Sequence, residues 1–170
     1  TSLLAQTFRN FELIISDNAS DDETANICKR FALKDRRIHY WRQSKNLGAS
    51  ANYNFLLSQI KGKYFMFAAG DDWRSPEFLE ANVSALDLNL KFIASTSPNC
   101  FEGEKNNNSK YVKFSLTGTH KERFAKFLQN AWQSHGIIYS LIRAEVIKNQ
   151  KNFYFFPNIA DDWGKNFFLL

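Results

Sequence analysis

Short apolar blocks alternate along the chain with stretches in which apolar residues recur at helical spacing. That alternation predicts strands and helices in turn. Residues 11–16 read as a strand. Ser20-Asp21-Asp22-Glu23 has the form of a capping box, and the helix it opens carries Ile27, Cys28, Phe31 and Ala32 on one face. Residues 37–41 read as a second strand, and Asn46-Leu47-Gly48 as a turn. The next helix turns Ala49, Tyr53, Leu56 and Ile60 inward, with Gly62 as its stop. Residues 63–69 form an apolar run suited to a strand covered on both faces. Ser75-Pro76 then opens a helix, with proline at its first position, whose inner face is Phe78, Leu79, Val83 and Leu86.

Strand and helix thus alternate three times, which argues for an α/β fold with a mostly parallel sheet and helices on both faces. Residues 91–97 continue the pattern as a strand. Residues 99–110 are polar, contain Asn106-Asn107-Asn108, and read as a loop. Residues 111–116 predict a strand. Thr119-His120-Lys121-Glu122 is a second capping box, leading a helix with Phe124, Phe127, Leu128 and Ala131 inward. Residues 136–142 predict a last strand. The first residues, from Thr1 to Phe8, read as the middle or end of a helix, and residues 166–170 as the start of one. The expectation is a piece of a longer protein.

A chain of 170 residues, 44% hydrophobic and 23% charged, is long and apolar enough for one domain with a real core. Seventeen phenylalanines predict that the core is built largely from them. The formal charge of +5 favours anionic partners: nucleotides, phosphorylated lipids or a bilayer surface. The basic residues are scattered and form no stripe interleaved with aromatics, so nucleic acid is not expected. Cys28 and Cys100 are too few and too isolated for a disulfide framework or a zinc site, and fit a reducing compartment. No apolar run approaches the roughly 20 residues that span a bilayer.

The candidate chemistry lies in acidic clusters after predicted strands. Asp71 and Asp72 end the run at 63–69, where open α/β sheets place their ligands. Two carboxylates about 4 Å apart repel by roughly 4 kcal/mol at an effective dielectric near 20, so water, a base or a divalent cation must offset them. Adjacent side chains in extended chain point opposite ways, which favours divided labour: one acid on a ribose, the other on a metal. Magnesium or manganese suits such a site, because either takes one or two carboxylates and completes its shell with water and phosphate. A solvated turn before the next helix explains the same two residues equally well.

Asp17 stands at the end of the first strand and can accept from a base N–H or a ribose hydroxyl, whereas Ser20 and Asp21 read as turn and cap. The spacing does not fit a calcium loop, and no G-x-G-x-x-G or Walker loop occurs. Asp161-Asp162-Trp163 reads either as a helix start or as a general base whose carboxyl is raised by its neighbours. His39, His120 and His135 have no metal-ligand spacing. His39 reads as structural, and His135, before Gly136, as a possible pocket residue.

Taken in order, these stretches resemble the family 2 glycosyltransferases of the GT-A (Rossmann-like) fold. The resemblance rests on Leu4-Ala5-Gln6-Thr7-Phe8, Asn10-Phe11-Glu12-Leu13-Ile14-Ile15, Asp17-Asn18-Ala19-Ser20-Asp21, and the run Asn46-Leu47-Gly48-Ala49-Ser50-Ala51-Asn52-Tyr53-Asn54. It continues through Gly62-Lys63-Tyr64, Gly70-Asp71-Asp72 with Pro76, Ile138-Tyr139-Ser140-Leu141-Ile142-Arg143, and Ala160-Asp161-Asp162-Trp163. It implies transfer of a sugar from a nucleotide-diphosphate donor to a glycan or lipid-linked acceptor, with inversion and with Mn2+ or Mg2+. Residues 1–98 would be the donor-binding half and 99–170 the acceptor-side half of the same domain.

By this resemblance Asp17 contacts the nucleobase, Asp71 the ribose and Asp72 the metal. Asn46, Gly48 and Asn54 line the donor site, and Asp162 deprotonates the acceptor; Asp161, Trp163 and His135 are further candidate site residues. Two departures stand out: Ala69 replaces an acid found in many members, and Tyr53 an arginine. The second shifts phosphate neutralisation to the metal, Lys45 or Arg74. The family's first strand and its nucleotide-contacting loop are expected ahead of Thr1. The implied setting is polysaccharide biosynthesis for the cell envelope, in the cytoplasm and peripherally at the membrane. A sugar nucleotidylyltransferase and a non-catalytic nucleotide-sugar scaffold are the alternatives.

Overall fold

The computed structural model describes residues 1–97, 115–130 and 139–148. Asp161, Asp162, Trp163 and His135, the loop at 99–110, residues 111–114 of the strand predicted at 111–116, and Ala131 lie outside them.

The first unit is a βαβ turn. β1 (Leu13–Asp17) and β2 (Ile38–Arg42) pair in parallel, with Leu13 opposite Ile38 and Asp17 opposite Arg42. α1 (Thr24–Lys34) connects them. A helical crossover of this length is what a parallel pair requires. Asp17 is the last residue of β1 itself.

The second unit is a three-stranded sheet. β3 (Tyr64–Phe65) follows α2 (Ala49–Ser58), and β4 (Ala94–Ser95) follows α3 (Phe78–Leu88). After α4 (His120–Gln129) the chain returns as β5 (Leu141–Arg143), which lies between β3 and β4 and is antiparallel to both. Residues from the two predicted halves therefore share one sheet. α5 (Ala144–Lys148) follows at once.

The buried side of α3 is the one its periodicity predicts: Phe78, Leu79 and Leu86 pack with Leu141, and Val83 lies against them. Phe67 is buried edge-on between Phe65 (4.7 Å) and Tyr53 (5.0 Å), but among the described residues the buried apolar side chains are mostly Leu, Ile and Ala, with Phe67, Phe78 and Phe127 among them, so the core is not built largely from phenylalanine. Arg143 is buried beneath α3. Its Nε donates to the Phe92 carbonyl (2.8 Å) and its Nη2 to those of Leu86 (2.6 Å) and Asn89 (3.3 Å), satisfying carbonyls that the end of α3 leaves open.

Several local expectations need correction. Ser20 does not cap α1. Ala19 adopts a left-handed conformation (φ 63°), which sets Ser20 well ahead of the actual N-cap, Glu23. The Asp22 carboxylate instead accepts from the Thr24 N–H (2.9 Å). Ile27 and Phe31 are exposed and Ala25 is the buried residue of α1, because among the described residues only the narrow β1–β2 pair lies beneath that helix. α2 ends at Ser58, not at Gly62: the Gln59 and Ile60 N–H groups close its last turn on Leu56 and Leu57.

Pro76 lies ahead of the N-cap Glu77 rather than at the first helical position. The strands predicted at 63–69 and 91–97 are paired only at Tyr64–Phe65 and Ala94–Ser95. The second capping box does form, with Thr119 and Glu122 bonded reciprocally, but Phe124 and Leu128 are exposed and only Phe127 is buried. His39 is exposed on β2. No helix among the described residues is long and apolar enough to cross a membrane.

Candidate active site

Asp17 ends β1 with its side chain fully out of solvent. Its Oδ1 accepts from the Ser20 N–H (2.8 Å) and its Oδ2 from the Tyr40 hydroxyl (2.7 Å), while Arg42 Nε stands 3.6 Å away. Burial pushes this carboxyl up, but the donors of Ser20 and Tyr40 and the charge of Arg42 outweigh it, and the net shift is downward. The Tyr40 hydroxyl is pushed up to about 12, first by burial and then by its bond to Asp17. Asp17 is thus a charged, internally satisfied group that folds its own loop.

Beyond it, Asn18 and Asn46 join two loops. Asn18 Nδ2 donates to Asn46 Oδ1 (2.8 Å), and Asn18 Oδ1 accepts from the Leu47 N–H (2.9 Å). Asn46 Oδ1 also accepts from the Gly48 N–H (2.9 Å). Gly48 leads into α2 at φ 82°, ψ 161°, a conformation essentially restricted to glycine. Asn52, one turn into α2, bonds Ser16 through its side-chain oxygen (2.5 Å) and its amide (3.0 Å to the carbonyl). Asn46 and Gly48, predicted as donor contacts, are thus part of the bonding that ties the loop after β1 to the start of α2. Asn54 is half-buried on α2, and Lys45 is exposed.

The second acidic loop follows β3. Phe67 anchors it, and the chain then turns, with the Asp72 N–H on the Ala69 carbonyl (3.4 Å). Asp71, Asp72 and Trp73 are exposed. Asp72 Oδ2 takes a hydrogen bond from Arg74 Nη2 at 3.0 Å. Arg74 Nη1 donates to the Trp73 carbonyl (3.2 Å), and its Cζ lies 5.4 Å from the centre of the Phe78 ring. Arg74 Nε is out of solvent and has no acceptor among the described residues.

The N-terminal segment clamps this loop from below. Gln6 is fully buried. Its amide donates to the Ser75 carbonyl (2.6 Å), and its oxygen accepts from the Leu79 N–H (2.8 Å). Thr7 bonds the Pro76 carbonyl through its backbone N–H (2.8 Å) and the Glu80 carboxylate through its hydroxyl (2.6 Å). The Arg74 N–H reaches Ser2 Oγ (3.3 Å). Sequence reasoning missed Gln6 as a positioning residue, because nothing local signals a partner about seventy positions away. Tyr53, where the resemblance led one to expect an arginine, is a core residue against Phe67.

The acid pair meets the requirements of a hard divalent ion only in part. It offers carboxylate oxygens open to solvent, which suits Mg2+ or Mn2+. Among the described residues no group of three or more His, Cys, Asp or Glu closes around such an ion.

The fold, the acid loops at the carboxyl ends of β1 and β3, and the order of the motifs define one class. The sequence model of Glycosyl transferase family 2 matches residues 1–167, and the chain belongs to that family. A crystal structure of residues 1–349 of TarS from S. aureus superposes with a TM-score of 0.74 over 95% of this chain and 47% of that one, at 20% identity, which establishes the GT-A fold. Glycosyltransferase GlyA of Streptococcus pneumoniae is 37% identical over 46% of this chain and 11% of its own length. The GalNAc(5)-diNAcBac-PP-undecaprenol beta-1,3-glucosyltransferase of Campylobacter jejuni is 29% identical over 95% of this chain and 52% of its own. The chain thus spans about half or less of these curated relatives.

Proposed function

We propose that this chain carries the donor site of a metal-dependent, inverting glycosyltransferase that moves a sugar from a nucleotide diphosphate to a lipid-linked or polysaccharide acceptor. The observation that carries the reading is the solvent-open acid pair that follows β3, placed on a loop clamped by Gln6. Residues 1–98 would supply the donor side and 99–170 the acceptor side.

Asp72 would hold Mn2+ or Mg2+ on the diphosphate, and Asp71 the ribose. An ion so held would neutralise the charge that develops on the departing diphosphate. The loop at Asn18, Asn46 and Gly48 would face the nucleoside, its shape maintained by Asp17. Asp162 would take the proton from the acceptor hydroxyl, whose oxygen then bonds to the anomeric carbon as the bond to the diphosphate breaks on the opposite face. That geometry inverts the configuration.

TarS has been solved with UDP and with UDP-GlcNAc, which supports a nucleotide-sugar donor. The name of the Campylobacter enzyme supports an acceptor on an undecaprenyl diphosphate, hence work on the cell envelope from the cytoplasmic face of the membrane. The core position of Tyr53, which removes an expected phosphate partner, favours a binding-only scaffold as the second reading.

A thermal-shift series with nucleoside diphosphates, with and without Mn2+, tests the proposal. Stabilisation that needs both, and that Asp72→Ala abolishes, is expected; at 100 to 1,000 times the dissociation constant it amounts to about 3–4 kcal/mol. Equal stabilisation of the Asp72→Ala variant would sink the metal assignment. Asp162→Ala should keep binding and lose turnover, and loss of binding there would overturn the assignment of the base.

A further inference from the structure

Arg74 is the one residue of the acid loop whose role the family reading leaves open between phosphate binding and structure. Its geometry ties it to the loop itself. The side chain is only 14% exposed, lies over the Phe78 ring, and has Nη1 and Nη2 already engaged. The backbone on both sides is fastened, at Arg74 by Ser2 and at Ser75 by Gln6. A guanidinium held in this way is fixed against the loop rather than extended into solvent. Its Nε is out of solvent, with no acceptor among the described residues. The group it holds is Asp72, 43% exposed and 3.0 Å away, the residue assigned to the metal.

We propose that Arg74 is a built-in counter-ion for Asp72 that makes binding of the divalent cation conditional on the diphosphate; the inference rests on the metal assignment above. With no ion present, the guanidinium offsets the repulsion between Asp71 and Asp72 and keeps the loop folded. A dication arriving alone must take Asp72 from a fixed positive charge and then stay beside it. A dication arriving with a diphosphate brings negative charge that offsets Arg74 as well. Arg74 is in this sense a positioning residue, acting through Asp72. It sets the coupling between metal and nucleotide, and the coupling is reciprocal.

Mn2+ binding to the full chain, measured by calorimetry and by the loss of the free-ion paramagnetic resonance signal, tests this with and without a nucleoside diphosphate. Removing a unit charge next to an ion site that is partly open to solvent should change affinity about three- to tenfold. Arg74→Gln, which keeps donors but no charge, and Arg74→Ala should therefore bind Mn2+ alone more tightly by that factor. Their gain in Mn2+ affinity on adding the diphosphate should shrink correspondingly. Arg74→Lys should stay near the parent. The difference should fade as salt is raised, as a charge effect does and a packing effect does not.

Unchanged or weaker Mn2+ binding in a folded Arg74→Gln chain overturns the inference. Asp72→Ala separates the two levels. If it loses Mn2+ while Arg74→Gln gains nothing, only the counter-ion role falls. If it binds Mn2+ as the parent does, the metal assignment falls and takes this role with it.

Discussion

The acidic loops after β1 and β3 meet one electrostatic problem in opposite ways. At Asp17 the carboxylate is buried and surrounded by Ser20, Tyr40 and Arg42. At Asp72 it stays in solvent with one cation beside it. A buried acid with its own donors helps hold the fold, since those donors lose their acceptor when it is removed. An exposed acid with a single partner can exchange that partner for a ligand at small cost. Position at a strand's carboxyl end is thus common to both, and what differs is how completely the protein already satisfies the group.

The contrast breaks most directly under mutation. Asp17→Ala leaves the Tyr40 hydroxyl and the Ser20 N–H without their acceptor and Arg42 without its charge partner, and should destabilise the chain by about 3 kcal/mol. Asp72→Ala should cost less, about 1 kcal/mol, because its carboxylate is 43% exposed and only the Arg74 side of the pair is shielded from water. Urea unfolding of both variants measures the difference. Equal losses would mean that the second loop is as structural as the first.

Gln6→Ala should fall between them, at about 2 kcal/mol, through the buried Leu79 N–H it orphans and the bond to Ser75 it removes. Because Gln6 seats the acid loop, the same variant should weaken metal-dependent nucleotide binding while Asp72 and Arg74 remain intact. Binding that keeps its parental strength would show that the loop does not need this clamp.

Much of this was legible in the sequence, and the failures share a physical cause. The buried side of α3 and the Thr119–Glu122 box are local patterns, and both appear where expected. Asp17 was placed at a strand end, but its partner Tyr40 sits on the neighbouring strand, and only the register of β1 on β2 brings them together. Gln6 was noticed as part of a motif and not for what it does, because its partners are Ser75 and Leu79. β5 has no local mark of lying between β3 and β4. On α1 the periodicity of Ile27 and Phe31 revealed a face, yet periodicity cannot say what covers that face, and among the described residues it is exposed. Asp162 and its neighbours lie outside the described residues, so the acceptor side stands on motif resemblance.

Titration sharpens the comparison from another side. Asp17 sits below the ordinary 3.8, and Asp35, bonded to Arg37, is held at about 2. A carboxyl depressed by folding contributes its full stabilisation above the unfolded value and loses it as pH falls toward the folded one. Stability should therefore drop between about pH 4 and pH 2, and Asp35→Asn should flatten part of that slope. Tyr40, raised to about 12, works in the other direction: its contribution is whole below about pH 10 and is lost as pH climbs toward 12. Tyr40→Phe should abolish that alkaline loss, and tyrosinate absorbance should show one group titrating late. Urea midpoints across both windows check the signs, and a flat acid limb would mean that neither carboxyl is held as the geometry implies.

The smallest expected effect lies in the same turn. Ala19 has φ 63°, in the left-handed region that costs a residue with a side chain about 1–2 kcal/mol. Glycine would remove that strain but would also give the unfolded chain more freedom, at about 0.4–1 kcal/mol. The balance leaves Ala19→Gly about 0.5 kcal/mol more stable. The Asp17–Ser20 bond spans this residue, so relief of strain should leave Tyr40's late titration unchanged. A variant that is less stable, with Tyr40 titrating earlier, would show that the strained alanine holds Asp17 in place, and that the loop after β1 is fixed by its backbone as much as by the carboxylate at its centre.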